Sequence, residues 1–238
     1  SLGLGAMADT FSITMAPRVA QGKVFVGGSG GEFGARGWIA AFDAETGKEV
    51  WRFWTVPDDP AKGPQAKHLE AAVKTWPSDI EYWKQGGGGT IWDATLYGPV
   101  TDLLYFGTGN GTPWNREMRD PSDGDNLYVA SIVAVKPDTG EYVWHYQQTP
   151  GDSWDYDAVS PMMTADITLG GKKQHVIIHP SKNGLMYVIE AATGKGQRKP
   201  IPCTEPGLKI ICCCKTQEFA VDIHSIDALP CFFVQQRG

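Results

Sequence analysis

A chain of 238 residues that is 42% hydrophobic and only 20% charged can bury a sizeable core, which excludes disorder over most of its length. The net charge of −6, with no long basic run, argues against nucleic acid as a partner, and no apolar stretch is long enough for a transmembrane helix. The 29 glycines, 16 prolines and 9 tryptophans favour short strands joined by tight turns over a helical bundle.

The first residues, SLGLGAMADTFSITMAP, show neither a charged leader nor a long apolar stretch, so no secretory signal is read there, and the chain is expected to be a piece of a longer protein. A strand-like GKVFVGG leads into IAAFDAETGKEVWRF (39–53), which reads as an alternating strand, a turn ending in Thr-Gly, and a second strand with Trp51 four residues after Gly47. An insertion (54–89) follows, containing AKHLEAAVKTW as a short helix and the run Gly86–Gly89. LLYFGTG then precedes a second insertion (110–128) and IVAVKPDTGEYVWHY (132–146), which aligns with the first copy without gaps. HVIIHP and MYVIEAATGK (186–195) form a third copy that stops before its tryptophan. Four-strand units with a recurring tryptophan are the signature of propeller blades, so the fold expected is all-β, a partial β-propeller of about two to three blades spanning 1–195. Residues 196–238 lose this texture and hold all five cysteines (Cys203, Cys212, Cys213, Cys214 and Cys231) without zinc or haem spacing. They are expected to form a separate tail to which no function is assigned.

Several motifs stand at strand ends. Gly27-Gly28-Ser29-Gly30-Gly31 matches a nucleophile elbow in form, but the glycines that follow leave no room for the helix such an elbow requires. The cluster reads as a plain wide turn or as a place where backbone approaches something flat or bulky. Gly107–Thr112 precedes Pro113 rather than a helix, so it is no dinucleotide fingerprint; Asn110 there is a turn residue or an oxygen donor to a hard cation. Asp152, Asp155 and Asp157 lie among aromatics. On a strand, Asp155 and Asp157 would share a face, and two close carboxylates need a cation or a proton; the alternative is a solvated acidic turn. Asp120, Asp123 and Asp125 read as a surface loop. Lys182 stands at a turn between apolar strands, where lysine is ordinarily just exposed.

In this order, and with these gaps, the residues from about Thr10 to Lys195 resemble the pyrroloquinoline quinone (PQQ)-dependent alcohol dehydrogenases, quinoproteins built on an eight-bladed propeller. The match lies in Thr14 followed by Ser29-Gly30-x-Glu32, in Trp92 with Asn110, in Trp154-Asp155-Tyr156, and in His179-Pro180-x-Lys182-Asn183-Gly184. The resemblance implies that PQQ stacks on Trp92 and is approached or hydrogen-bonded by Thr14, Ser29, Gly30, Gly31, Thr90 and Lys182. It further implies that Glu32 and Asn110, with Asp155 and Asp157, hold a metal ion that acts as a Lewis acid. Asp155 would be the general base that takes the alcohol proton, and Lys182 would set a positive charge beside the reacting oxygen. An Asp at 157, where calcium members often carry a small residue, is similar to lanthanide-using members, so the ion expected is Ca2+ or alternatively a lanthanide. An alcohol substrate, a cytochrome c or other electron acceptor, and a periplasmic location are implied in the same way. The competing reading is a non-catalytic propeller scaffold, which has no reason to keep Glu32, Asn110, Asp155 and Lys182 together.

Overall fold

In the computed structural model, residues 12–93, 95–196 and the backbone of 201–202 are described. Twelve strands form three four-stranded antiparallel sheets, each taken up in chain order. The first holds β1 (Arg18–Ala20), β2 (Lys23–Gly27), β3 (Trp38–Asp43) and β4 (Glu49–Trp54). The second holds β5 (Thr95–Gly98), β6 (Leu103–Gly107), β7 (Ser131–Val135) and β8 (Tyr142–Gln147). The third holds β9 (Met163–Leu169), β10 (Lys172–Pro180), β11 (Leu185–Glu190) and β12 (Ile201–Pro202). These are three consecutive propeller blades. The third gains its outer strand just beyond the boundary expected at 195; the remainder of the tail and its cysteines lie outside the described residues.

The repeats in the sequence are repeats in register. β3 pairs with β4 with a bulge at Ala41/Phe42, and β7 pairs with β8 with a bulge at Ala134/Val135, the same position of the repeat. The middle blade explains why its strands are continuously apolar. Leu104, Phe106, Val133 and Val135 pack towards the first blade, against Phe25, Ile39, Trp51 and Phe53. The alternate residues Leu103, Tyr105, Ile132 and Ala134 pack towards the third, against Ile177, Tyr187 and Ile189. A sheet covered on both faces needs apolar side chains at both phases of the strand period.

The recurring tryptophan joins one blade to the next. Trp51 Nε1 donates to the carbonyl of Pro137 in the second blade's Thr-Gly turn at 2.9 Å, and Trp144 Nε1 donates to Ala191 in the third blade's turn at 3.1 Å. Each indole ring lies flat against the turn glycine, Gly140 or Gly194, where a Cβ would stand 2.7 or 2.5 Å from ring carbon.

Of the insertions, 54–89 contains α1 (Leu69–Ala72), a single helical turn that continues as a 3-10 turn and buries Leu69 and Ala72 in the first core. Gly86–Gly89 all have positive φ, between 66° and 79°, which is why only glycine serves there. The run threads between residues 34–37 and 110–112, bridging Arg36 and Gly111, and delivers Thr90 and Trp92 to the end of the sheets. The second insertion carries α2 (Arg116–Arg119), capped by Asn115, whose side chain accepts from the Glu117 N–H at 2.9 Å. Here one expectation is corrected. Asp123 is exposed, but Asp120 is 1% accessible, because its carboxylate accepts from the N–H and hydroxyl of Ser122 and from Asn126 Nδ2. Among the described residues, no helix is long and apolar enough to cross a membrane.

Candidate active site

The candidate cofactor, metal and catalytic residues stand at one end of the three blades, and the up-and-down topology is the reason. In such a sheet the second and fourth strands finish at the same end, where the first strand begins. Thr14 precedes β1; Ser29, Gly30, Gly31 and Glu32 follow β2; Thr90 and Trp92 lie between β4 and β5; Asn110 follows β6; Asp155 and Asp157 lie between β8 and β9; Lys182 follows β10. A cavity of about 300 Å³ opens among Glu32, Asn110, Trp114, Trp154 and Asp155.

The first wall is a close-packed backbone cradle. Gly31 is buried, and a Cβ there would stand 3.2 Å from Thr90 Oγ1 and 3.8 Å from Asn110 Oδ1. Thr112 Oγ1 donates to the Gly31 carbonyl at 2.6 Å, and the Gly109 N–H donates to the Thr90 carbonyl at 2.8 Å. Thr90 and Asn110 are therefore buried beside Gly31, and Glu32 is left exposed at the cavity edge. Two hydroxyls are engaged locally. Ser29 Oγ meets the hydroxyl and carbonyl of Ser12, and Thr14 Oγ1 donates to the Trp92 carbonyl at 2.9 Å. Trp92 itself keeps 37% of its surface open, offering a ring face.

The second wall is ionic. Lys182 Nζ donates to Asp155 Oδ2 at 2.7 Å and to Asp157 Oδ2 at 2.9 Å. The two aspartates do not sit on a strand as the alternation suggested. They lie in an irregular loop, with Asp155 at φ 61°, and the cation that two close carboxylates require is this ammonium. Asp157 is 4% exposed, and its other oxygen accepts the Asn110 N–H at 2.9 Å. Burial pushes the Asp157 carboxyl above its usual range against the pull of Lys182. Burial would lower Lys182, but its hydrogen bonds to both aspartates outweigh this and leave its pKa raised. Asp155 Oδ1, by contrast, is buried and has no partner among the described residues.

The donor set suits a hard cation beside a flat ligand. Asn110 and Glu32 offer oxygen, Asp155 keeps an orphaned oxygen, and the Gly31 cradle would be filled by any side chain. Among the described residues, no three histidine, cysteine or acidic side chains form a closed metal cage. A cation here would therefore draw further oxygens from its co-ligand and from water, since hard divalent ions take about six to eight.

Sequence reasoning missed the parts that support this wall. Arg119 is fully buried, and its guanidinium donates to the carbonyls of Pro113, Trp114 and Asp152 and to Asn126 Oδ1. Burial lowers its pKa to about 10. Trp114 and Trp154, 58% and 65% exposed, flank the cavity mouth. The tryptophan-rich composition was the only signal for Trp114, whereas Trp154 stood in the Trp-Asp-Tyr motif, and nothing in the spacing marked Arg119.

Residues 3–202 match the family described as glucose/ethanol/alcohol dehydrogenase, beta-propeller domain (PQQ). The quinohemoprotein alcohol dehydrogenase ADH IIB of Pseudomonas putida is 54% identical over 188 residues, covering 79% of this chain and 27% of its own length. The crystal structure of the quinohemoprotein alcohol dehydrogenase from Comamonas testosteroni superposes with a TM-score of 0.80 at 45% identity, over 87% of this chain and 31% of that one. A europium-containing methanol dehydrogenase superposes with a TM-score of 0.71 at 40% identity, over 84% of this chain and 35% of that one. The chain thus spans about a quarter of the length of the curated relatives it matches.

Proposed function

Because this chain belongs to the PQQ family of glucose/ethanol/alcohol dehydrogenase β-propeller domains, we propose that its cavity is part of the active site of an alcohol dehydrogenase that oxidises alcohols to aldehydes or ketones. PQQ, when bound, supplies the two-electron acceptor, with a cation at its edge as Lewis acid. Trp92 offers the face for a flat ring, and Thr14, Ser29, Gly30, Gly31 and Thr90 form the surface that would meet its edges. Glu32 and Asn110 would hold the cation, which leaves the second oxygen of Asp155 for the alcohol proton. Asp157 already gives one oxygen to the Asn110 N–H and the other to Lys182, and this favours Ca2+, which needs fewer carboxylates than a lanthanide.

The observation that carries the reading is the division of labour within one carboxylate. Lys182 holds Asp155 Oδ2, while Oδ1 has no partner among the described residues, in a side chain that lines the cavity. A fixed carboxylate with one uncommitted oxygen is what a base needs to accept a hydroxyl proton. Lys182 then lies where negative charge develops as that proton leaves. The quinohemoprotein relatives support a cytochrome c or another haem group as the electron acceptor, and the same kinship supports a periplasmic location, which cell fractionation tests.

Titration with PQQ in the presence of Ca2+ or a lanthanide, followed by a dye-linked alcohol assay on the enzyme containing this chain, is the direct test. Cation-dependent PQQ binding with turnover is expected, with Ca2+ giving the higher rate. A folded protein that binds no PQQ with either ion would replace the enzyme reading with that of a partner-binding propeller.

A further inference from the structure

The loop that presents Asp155 is not held by a strand or a helix, yet it is not slack. Asp152, three residues earlier, is completely buried. Its Oδ1 accepts the Trp154 N–H at 2.9 Å and its Oδ2 accepts the Tyr156 N–H at 2.8 Å. One carboxylate thus grips the peptide groups on either side of Asp155, which sits between them at φ 61°. That left-handed conformation is uncommon for residues other than glycine, though aspartate tolerates it better than most, and here the Asp152 hydrogen bonds hold it. The grip is itself anchored. Arg119 Nη2 donates to the Asp152 carbonyl at 2.7 Å, and its Nη1 reaches the carbonyls of Pro113 and Trp114 at 2.6 and 3.1 Å. Ser153 Oγ accepts the Arg116 N–H at 2.8 Å, tying the same loop to the start of α2. The guanidinium therefore spans the distance between the wall carrying Trp114 and the loop carrying Trp154 and Asp155.

We propose that Asp152 is a positioning residue for the reaction, clamping the backbone around Asp155 so that this carboxylate is aimed between Lys182 and the cavity, with Arg119 bracing the clamp from behind. The proposal rests on Asp155 acting as the base. An amide at 152 keeps the shape but turns one acceptor into a donor that faces an N–H, so half of the clamp is lost and Asp155 is free to relax from its left-handed setting. Asp120 provides a matched control. It is as deeply buried beside the Arg119–Asn126 pair, but its oxygens accept hydrogen bonds from Ser122 and Asn126 rather than from residues 152–157.

The test is a double-mutant cycle in the PQQ-loaded enzyme containing this chain, with kcat, KM, PQQ occupancy and melting temperature measured for each variant. Asp152→Asn is expected to lower kcat by about 10- to 100-fold, the scale of a small misplacement of a catalytic group, with alcohol KM and PQQ occupancy within about twofold. In an Asp155→Asn background the same change should lower the residual kcat less than about twofold. Asp120→Asn should lower the melting temperature without lowering kcat more than about twofold. If Asp152→Asn does not accumulate folded, Asp152→Ser, which keeps one oxygen acceptor, carries the same cycle with a smaller expected loss. Equal losses of kcat with and without the Asp155 carboxylate, or a fall in melting temperature with kcat intact, would overturn the proposal. A wild-type enzyme without PQQ-dependent alcohol oxidation would instead overturn the functional reading beneath it.

Discussion

Asp155 and Asp157 are two residues apart and both bound by Lys182, yet their surroundings give them different tasks. Asp157 has both oxygens committed and is buried, so it serves as a link between the Asn110 backbone and the ammonium. Asp155 has one oxygen committed and one not. Removal of the Asp155 carboxylate and removal of the shared ammonium should therefore have separable effects. Asp155→Asn removes the proton acceptor and is expected to lower kcat by about 10²- to 10⁴-fold. Lys182→Met leaves the carboxylates without their shared cation and is expected to cost about 100-fold in kcat. Steady-state kinetics on the two variants, with PQQ occupancy measured in parallel, checks both. Asp155→Asn with near-normal kcat would remove it from the role of base.

At the scale of elements, the Thr-Gly turn and the tryptophan four residues beyond it make one device shared by two blades. The turn needs a glycine for its positive φ, and the preceding blade's indole needs the same glycine because no Cβ fits beneath the ring. Gly47, Gly140 and Gly194 occupy the same place in the repeat with φ of 67°, 69° and 70°, but their neighbours differ. Gly140 and Gly194 lie under Trp51 and Trp144, whereas among the described residues nothing comes within 4 Å of a Cβ at Gly47. Gly47→Ala should thus cost only the backbone strain, about 1–2 kcal/mol. Gly140→Ala and Gly194→Ala should cost at least about 2 kcal/mol more through displacement of the ring. Thermal melts of the three variants check the order, and equal losses would mean that the indoles shift without penalty.

For the molecule as a whole, buried neutral histidines contribute a sensitivity to acid. His179 stands between the Ser160 carbonyl and the Gln148 side chain, and burial lowers its pKa to about 4. His68, stacked on Phe53 at 3.8 Å, and His145 are lowered by burial as well. The unfolded chain binds protons at these sites near pH 6.5, while the folded chain leaves His179 neutral until about pH 4. The histidine contribution to stability is therefore complete above pH 6.5 and is lost as pH falls towards 4, by roughly 3 kcal/mol at most from His179. Denaturant unfolding between pH 4.5 and 7.5 should show this slope, and His179→Gln should flatten it. An unchanged slope in that variant would assign the acid sensitivity to other groups.

Residue types and spacing by themselves determined the architecture, and the resemblance they carry named the candidate residues of the site. Strand alternation, the Thr-Gly turns and the recurring tryptophan are local requirements of a blade, so they are written along the chain at a fixed interval. The topology then carries Thr14, Glu32, Trp92, Asn110, Asp155 and Lys182 to one end. What only the tertiary structure decided is which groups satisfy one another. That Lys182 would neutralise both Asp155 and Asp157, that Ser29 would turn to Ser12, that Asp120 would be buried rather than solvated, and that Asp152 and Arg119 would brace the loop are all outcomes of long-range contact. A buried polar group must find a partner wherever the folded backbone offers one, and that partner has no fixed distance along the sequence.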